Sequence, residues 1–407
     1  MKVLQWTSGN TLTFLENGEE FFPRVFELID RARSSVSIET FIVADDEVGQ
    51  RLQQLLIAAA RRGVSAQLVM DGYGSAPLPP AFVKAMTDAG VVVRWFDPRP
   101  PLLGVRTNMF RRLHRKLVVV DDETAFVGGI NFTVEHLRKF GALSKQDYAV
   151  EVCGPVVAQV AQAMAAPPPA RRFPGKRLWQ RLSSSLIPEK AGEGARAVLL
   201  LRDNQEHPQD IEWMYRVGIR AARREIVIAN AYFFPGYRLL RDLRQAAKRG
   251  VAVHLILQGR PDMPSVRWLA GTLYDYLLRG GVRIHEYCER PLHAKVAVID
   301  GTWATVGSSN LDPLSLFLNL EANLMVEDEL FAAEVGSHLH RLIQGQCREL
   351  VAPKAGPSTL IRNAIGFGAF HVLRRLPGLV GWLPAHADER TLLQGAEAAV
   401  PPVAEAR

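Results

Sequence analysis

The sequence predicts an α/β fold made of two copies of one unit, and three observations lead there. First, the pattern His-x-Lys-x4-Asp occurs twice, as His114-Arg115-Lys116-Leu117-Val118-Val119-Val120-Asp121 and as His293-Ala294-Lys295-Val296-Ala297-Val298-Ile299-Asp300. Each copy lies in a run of branched apolar residues that reads as a buried strand. Second, aligning the copies at an offset of 179 residues also brings Gly128 onto Gly307 and Asn131 onto Asn310. Third, both halves read as strand, helix, strand upstream of the motif, the order that gives right-handed parallel crossovers and a sheet layered by helices.

In chain order, residues 35–41 and 225–231 read as the first strands, each following a helical stretch. Ala59-Ala60-Arg61-Arg62-Gly63-Val64 and Ala246-Ala247-Lys248-Arg249-Gly250-Val251 each end a helix at glycine and open the next apolar strand, at 65–70 and 252–258. The motif strands follow. On a strand, His and Lys two residues apart project to one face, so an imidazole and an ammonium can address one anion. Lysine is scarce, 10 residues against 39 arginines, yet both motifs use it. Asp121 and Asp300, five residues beyond the lysines, point away from that face and are expected to anchor strands or turns.

Domain boundaries are expected at 1–165 and 196–352 for the two halves, with a Pro/Arg-rich linker at 166–195, an interrupted apolar segment at 353–387 and a disordered tail at 388–407. The linker's Arg171, Arg172, Lys176, Arg177 and Arg181 read as a solvated charge run, with an anchor for anionic lipid as the alternative. The apolar segment is too broken to span a bilayer; packing on the body and lying in the membrane interface are equally open.

A length of 407 residues suits two domains or two fused halves, and 48% hydrophobic with 22% charged residues is a globular composition. Three scattered cysteines, Cys153, Cys288 and Cys347, exclude a disulfide framework and fit a reducing compartment. The net charge of +7 and pI near 9.4 favour anionic partners, whether nucleic acid, phospholipid or a membrane surface. The first residues lack the basic start and apolar core of a signal peptide, so none is expected.

The duplicated motifs, followed by Gly128-Gly129-x-Asn131 and Gly307-Ser308-Ser309-Asn310, resemble the phospholipase D superfamily. Within it, Asp71-Gly72-Tyr73-Gly74, Asp97-Pro98-Arg99-Pro100, Arg106-Thr107-Asn108-x-Phe110-Arg111-Arg112, the stretch from Ala231 to Tyr237 and the stretch from Val306 to Ser315 are most similar to bacterial cardiolipin synthases of the B type. The resemblance implies two tandem α-β-α halves about a pseudo-twofold axis, with one active site at their interface. It carries His114, Lys116, Asp121, His293, Lys295 and Asp300 over as the catalytic set. By the same resemblance His114 is the nucleophile and His293 the general acid, the reverse staying open, and the orienting carboxylates come from the opposite half, pairing His114 with Glu321 and His293 with Asp147.

The residue types fit that chemistry. A phosphodiester repels a nucleophile until cationic and amide donors offset its charge, the role expected of Lys116, Lys295, Asn131 and Asn310. A neutral imidazole then attacks phosphorus while a protonated one serves the leaving oxygen, which suits histidine's ordinary pKa. No metal or other cofactor is expected, two lysines standing where a cation often does. Ser308 offers a hydroxyl to phosphate from one half alone, Gly129 facing it in the other. His254, His285 and His371 are expected as core residues.

The implied reaction passes a phosphatidyl group from one phosphatidylglycerol to another through a phosphohistidine, giving cardiolipin and glycerol. The runner-up is a hydrolytic phospholipase D or a nuclease on the same site. Met109, Phe110, Tyr232, Phe233, Phe234, Leu314, Leu316 and Phe317 are candidates for a water-excluding wall, with ordinary core as the equal alternative. The expected partners are phosphatidylglycerol, other anionic phospholipids and the membrane surface at its cytoplasmic face; nucleic acid is not expected, for want of a base-stacking platform.

Overall fold

The computed structural model describes residues 4–75, 78–97, 111–165, 194–259, 273–351 and 390–392. The first half contains β1 (Thr7–Glu16), α1 (Asn17–Arg31), β2 (Ser35–Thr40), α2 (Glu47–Arg61), β3 (Ser65–Asp71), α3 (Pro80–Asp88), β4 (Val92–Phe96), β5 (Leu117–Val120), β6 (Thr124–Gly128), β7 (Tyr148–Cys153) and α4 (Val156–Ala165). The second contains β8 (Ala195–Arg202), α5 (Asp210–Ala221), β9 (Glu225–Asn230), α6 (Tyr237–Lys248), β10 (Ala252–Gln258), β11 (Arg283–Tyr287), β12 (Lys295–Ile299), β13 (Trp303–Gly307), α7 (Pro313–Phe317), β14 (Glu321–Glu327), α8 (Glu329–Gln346) and β15 (Cys347–Glu349).

The strands form one continuous sheet whose order reads the same outward from its centre in both directions. From β1 it runs β7, β6, β5, β2, β3, β4; from β8 it runs β14, β13, β12, β9, β10, β11. β1 and β8 pair antiparallel across the middle and join the halves. In each half the first three outer strands are parallel, β2 with β3 and β4, and β9 with β10 and β11. The motif strands β5 and β12 run antiparallel to β2 and β9. At the far edge, Arg390–Leu392 (β16) pairs antiparallel with β4, so part of the tail expected to be disordered adds a strand to an exposed sheet edge.

The repeat noted upstream is a pair of identical helix stops. Gly63 (φ 89°) and Gly250 (φ 93°) take the left-handed conformation, Val64 and Val251 donate back to Ala59 and Ala246, and Arg62 and Arg249 reach the carbonyls of Ile29 and Ile219. Each half is three layers thick. An outer core buries Ile29, Leu52, Leu56 and Leu68 under α1 and α2 in the first half, and Ile211, Leu239, Leu243 and Leu255 under α5 and α6 in the second. A third core lies between the halves, where Val119, Val127, Val150 and Val160 share one cluster with Val296, Val306, Leu324 and Leu339. Burying one such side chain contributes roughly 1.5–3 kcal/mol, so this shared core binds the halves into one body.

The motif aspartates explain their own position. Asp121 and Asp122 (φ 54° and 56°) are the central residues of the turn between β5 and β6, closed by Glu123 N–H to Val120 O, and Asp300 with Gly301 (φ 54° and 65°) are those of the turn between β12 and β13, closed by Thr302 N–H to Ile299 O. Both turns need positive φ at each central residue, a conformation Asp and Gly tolerate. Asp121 also accepts the backbone N–H groups of Arg33, Ser34 and Ser35 at 2.7–3.1 Å, and Asp300 those of Arg223, Arg224 and Glu225 at 2.7–2.9 Å. Each thereby ties the start of the first outer strand to the far end of the motif strand.

Candidate active site

The two histidines sit where the halves exchange backbone hydrogen bonds. The N–H of His114 donates to Leu320 O (2.9 Å) and that of Leu320 to Arg112 O (2.8 Å); symmetrically, His293 donates to Gln146 O (2.8 Å) and Gln146 to Pro291 O (2.9 Å). Leu320 and Gln146 immediately precede Glu321 and Asp147, so these crossings deliver each carboxylate to the histidine of the other half. His114 Nδ1 lies 3.0 Å from Glu321 Oε2, and His293 Nδ1 lies 2.6 Å from Asp147 Oδ2. Each histidine thus meets the carboxylate expected for it. Both carboxylates are fully buried, while the imidazoles remain 12% and 15% exposed.

The His-x-Lys segments differ from the sequence expectation in one respect. They precede β5 rather than lie inside it, and β12 begins only at Lys295, because their backbone pairs across the interface instead of within the home sheet. The lysines then fold back: Lys116 Nζ donates to His114 O at 2.7 Å, and Lys295 Nζ to His293 O. Both lysines are buried, and burial pushes their pKa values down, to about 7 for Lys116 and about 8 for Lys295, with Glu321 and Asp147 partly restoring them.

Burial also pulls the histidines below their ordinary range. His114 falls to about 4, the nearby Glu321 opposing the fall and Lys116 deepening it. His293 is lowered well below 6.5 by burial, then by Lys295, Lys145 and Lys116. The expectation of ordinary pKa values is therefore corrected: without a bound anion both imidazoles are neutral, each with its proton on Nδ1 facing a carboxylate and a lone pair on Nε2. The carboxylates differ. Burial raises Asp147, whereas the His114 charge and hydrogen bond and the Ser308 hydroxyl bring Glu321 below its usual value despite burial.

Ser308 does not reach toward phosphate as its sequence position suggested. Its hydroxyl donates to Glu321 Oε2 at 2.5 Å and accepts from Ala322 N–H, filling the space behind the carboxylate. In the other half no side chain fits: a Cβ on Gly129 would stand 2.4 Å from Asp147 Oδ1. The asparagines are unequal too. Asn131 Oδ1 accepts from Ile42 N–H (3.2 Å), turning its amide end into the available donor, whereas in the second half Asn230 Oδ1, at the end of β9, accepts from Leu311 N–H and Asn310 Oδ1 is buried without a partner. Asp121 and Asp300, carried over with the catalytic set, lie at the opposite ends of β5 and β12 from the histidines and hold backbone instead.

Asp71 is a further contributor. It accepts the N–H groups of Tyr73, Gly74 and Leu113 (2.7–2.9 Å), fixing the backbone just before His114, and burial raises its carboxyl to about 6. Phe41 packs its ring 5.1 Å from the His114 ring and under Lys116, forming one wall. Of the expected apolar wall, Phe233 and Leu316 belong to the outer core, Tyr232, Phe234 and Phe317 are half-buried and Leu314 is exposed, while Met109 and Phe110 lie outside the described residues, as does His371. His254 and His285 are buried against each other at 3.0 Å, as core residues.

One residue escaped the sequence reading: His136, fully buried beside Asp147 and His293, its ring 5.8 Å from that of His293. Its place has no counterpart in the repeat, because Asp147 follows Asn131 by 16 residues and Glu321 follows Asn310 by 11. That five-residue excess was the available signal. Ligand-capable atoms of His136, Asp147 and His293 lie within 4.8 Å of one another, although no metal spacing is visible along the chain. The charges of Lys145 and Lys295 bear on His136 and His293, which opposes a cation there.

A family model described as cardiolipin synthase, PLD-like domain, matches residues 25–164 and 215–343, the two halves that build this site. The chain belongs to that family. It is 52% identical to cardiolipin synthase B of Salmonella typhi and 50% identical to that of Escherichia coli K12, in each case across 94% of this chain and 92% of the relative. Among solved structures, the phosphatidylserine synthase of Haemophilus influenzae Rd KW20 shares the fold with a TM-score of 0.64, at 14% identity, over 91% of this chain and 94% of that one.

Proposed function

We propose that this protein is a cardiolipin synthase: a phosphatidyltransferase that moves a phosphatidyl group from one phosphatidylglycerol to the hydroxyl of a second, releasing glycerol. The observation that carries the reading is the pair of crossed histidine–carboxylate contacts, each with its own lysine, converging from two halves on one buried floor. High identity to cardiolipin synthases over nearly the whole chain supports the same reaction.

The phosphodiester anion enters between Lys116 and Lys295, and the Asn131 amide adds a donor. His114 Nε2, its Nδ1–H held by Glu321, attacks phosphorus. A P–N bond forms, the P–O bond to glycerol breaks, and His293 Nε2–H gives its proton to the leaving oxygen. The anion's charge raises the proton affinity of His293, opposing the burial and the lysine charges that lower it in the free protein. In the second step neutral His293 removes the proton of the incoming hydroxyl, which attacks phosphorus and frees His114. Asp121 and Asp300 serve the scaffold.

The membrane reading rests on where the apolar surface lies. Of the six exposed large hydrophobic side chains among the described residues, Phe140 and Leu143 emerge from the β6–β7 connection, Leu314 from the β13–β14 connection and Tyr237 after β9, all at the strand ends that carry the histidines, with Leu330 and Val351 elsewhere. All four are exposed, and Arg138 and Lys139 lie beside them in sequence. Such an edge suits contact with an anionic bilayer at the cytoplasmic face, admitting diacyl substrates without extraction. Among the described residues no helix is long and apolar enough to cross a membrane.

Labelled phosphatidylglycerol in mixed micelles with chelator tests the proposal. Cardiolipin plus glycerol is the expected outcome. Phosphatidic acid as the main product would replace transfer by hydrolysis, and cleavage of plasmid DNA with the lipid untouched would overturn the lipid substrate.

A further inference from the structure

We propose that His136 is a positioning residue for the acid–base half of the site, holding Asp147 so that Asp147 can hold His293. The inference rests on the roles assigned to His114 and His293 above.

His136 ends a short turn, Val134–His136, and its side chain is wholly enclosed. Nε2 accepts the backbone N–H of Asn131 at 3.2 Å, so that nitrogen carries the lone pair. Burial, with the charges of Lys145 and Lys295 added to it against the opposing pull of Asp147, keeps the ring neutral, which leaves its one proton on Nδ1. Nδ1 has no hydrogen-bond partner, and the acceptor it faces is Asp147 Oδ2 at 3.9 Å. This is the oxygen that already meets His293 Nδ1. A buried donor left unpaired is unfavourable, which favours closer approach of Nδ1 and this carboxylate oxygen. Catalytic hydrogen bonds commonly tighten this way only when the substrate binds.

The other half gives the comparison that makes this more than packing. There one oxygen, Glu321 Oε2, meets both His114 Nδ1 and the hydroxyl of Ser308. Each orienting carboxylate oxygen is thus placed between its catalytic histidine and a second donor. Where the chain has Gly129 in place of a serine, no side chain can approach Asp147 from that position, and His136 supplies the donor from the longer loop. The second donor draws negative charge to Oδ2 and fixes its direction. His293 can then carry a proton to the leaving oxygen, and retrieve one later, without passing it to Asp147.

Because His136 acts through a general acid, its removal matters in proportion to how badly the leaving group needs a proton. In the full-length protein, His136→Phe should slow transfer from phosphatidylglycerol roughly 10–100-fold. With phosphatidyl-p-nitrophenol, whose leaving group departs unprotonated, the burst of p-nitrophenol should stay near that of the parent. His136→Asn places an amide N–H where Nδ1 was and should recover most of the loss; His136→Gln preserves only the acceptor for Asn131 and should not. Equal losses with both leaving groups, no loss with either, or Gln outperforming Asn would overturn the proposal. Covalent label found on His293 in the parent enzyme would instead overturn the role assignment, and the order of Asn over Gln would still report whether His136 serves Asp147.

Discussion

The two half-sites come from one repeated unit yet solve the same problem with different residues. Around His114 the carboxylate is a glutamate backed by Ser308 and held below its usual pKa; around His293 it is an aspartate backed by His136, against a glycine, with its pKa raised by burial. The scaffold beneath them is matched closely. The hairpin turns with positive φ, the strand-tying aspartates and the crossing backbone bonds recur in both halves. Duplication set the frame, and the residues around the two carboxylates are among those that diverged. A site with one nucleophile and one acid–base needs such a difference, because two identical imidazoles would share both roles.

The sharpest way to break this comparison is at the histidines. His293→Ala should lower transfer from phosphatidylglycerol by about 10²–10⁴-fold, the usual contribution of general acid–base catalysis, while label from phosphatidyl-p-nitrophenol still accumulates on the protein. A variant that fails equally with both substrates would mean that His293 is not the proton donor. Next come the backing residues. Gly129→Ala forces a methyl group against Asp147 Oδ1 and should cost more activity than Ser308→Ala, which only removes a donor from Glu321; kcat measured for both, beside melting temperatures, checks the order.

The pH dependence sharpens it further. Lys116 and Lys295 have pKa values lowered to about 7 and about 8, so the empty site loses its ammonium charges as pH rises through that range. His114, lowered to about 4, is a nucleophile at every pH above that. Accordingly kcat/KM should fall as pH rises, first as His293 loses its donatable proton and then, through about 7 to 8, as the lysines lose their charge. Lys116→Arg, which cannot deprotonate, should push the alkaline limb upward even if its plateau is lower.

The smallest effect on chemistry is expected at the motif aspartates. Asp121→Asn should leave kcat unchanged and lower stability by about 1 kcal/mol, the usual cost of a weakened capping carboxylate. Asp121 is held down at about 2, below its unfolded value near 3.8, so its stabilisation is complete above that value and fades as pH falls toward 2. The melting difference between Asp121→Asn and the parent should therefore close in acid.

Much of this was legible in the sequence because repetition is a strong signal. The His-x-Lys spacing and the glycine stops at Gly63 and Gly250 could be found by alignment of the chain with itself, and the carboxylates at Asp147 and Glu321 through the family resemblance. What escaped was set by contacts between halves. The histidine segments leave their strands because Leu320 and Gln146 draw their backbone across the interface. Ser308 turns inward because Glu321 arrives from β14 with an oxygen to satisfy. His136 was invisible because it stands in a connection where the repeat changes length, and nothing local marks a lone histidine as facing a carboxylate.

The central claim, that both motifs build a single site with one covalent nucleophile, is tested most directly by trapping the intermediate. Protein quenched in base during turnover of phosphatidylglycerol labelled at phosphorus should carry label on the peptide containing His114 and on no other. Label on the His293 peptide, on both, or on neither would contradict the account.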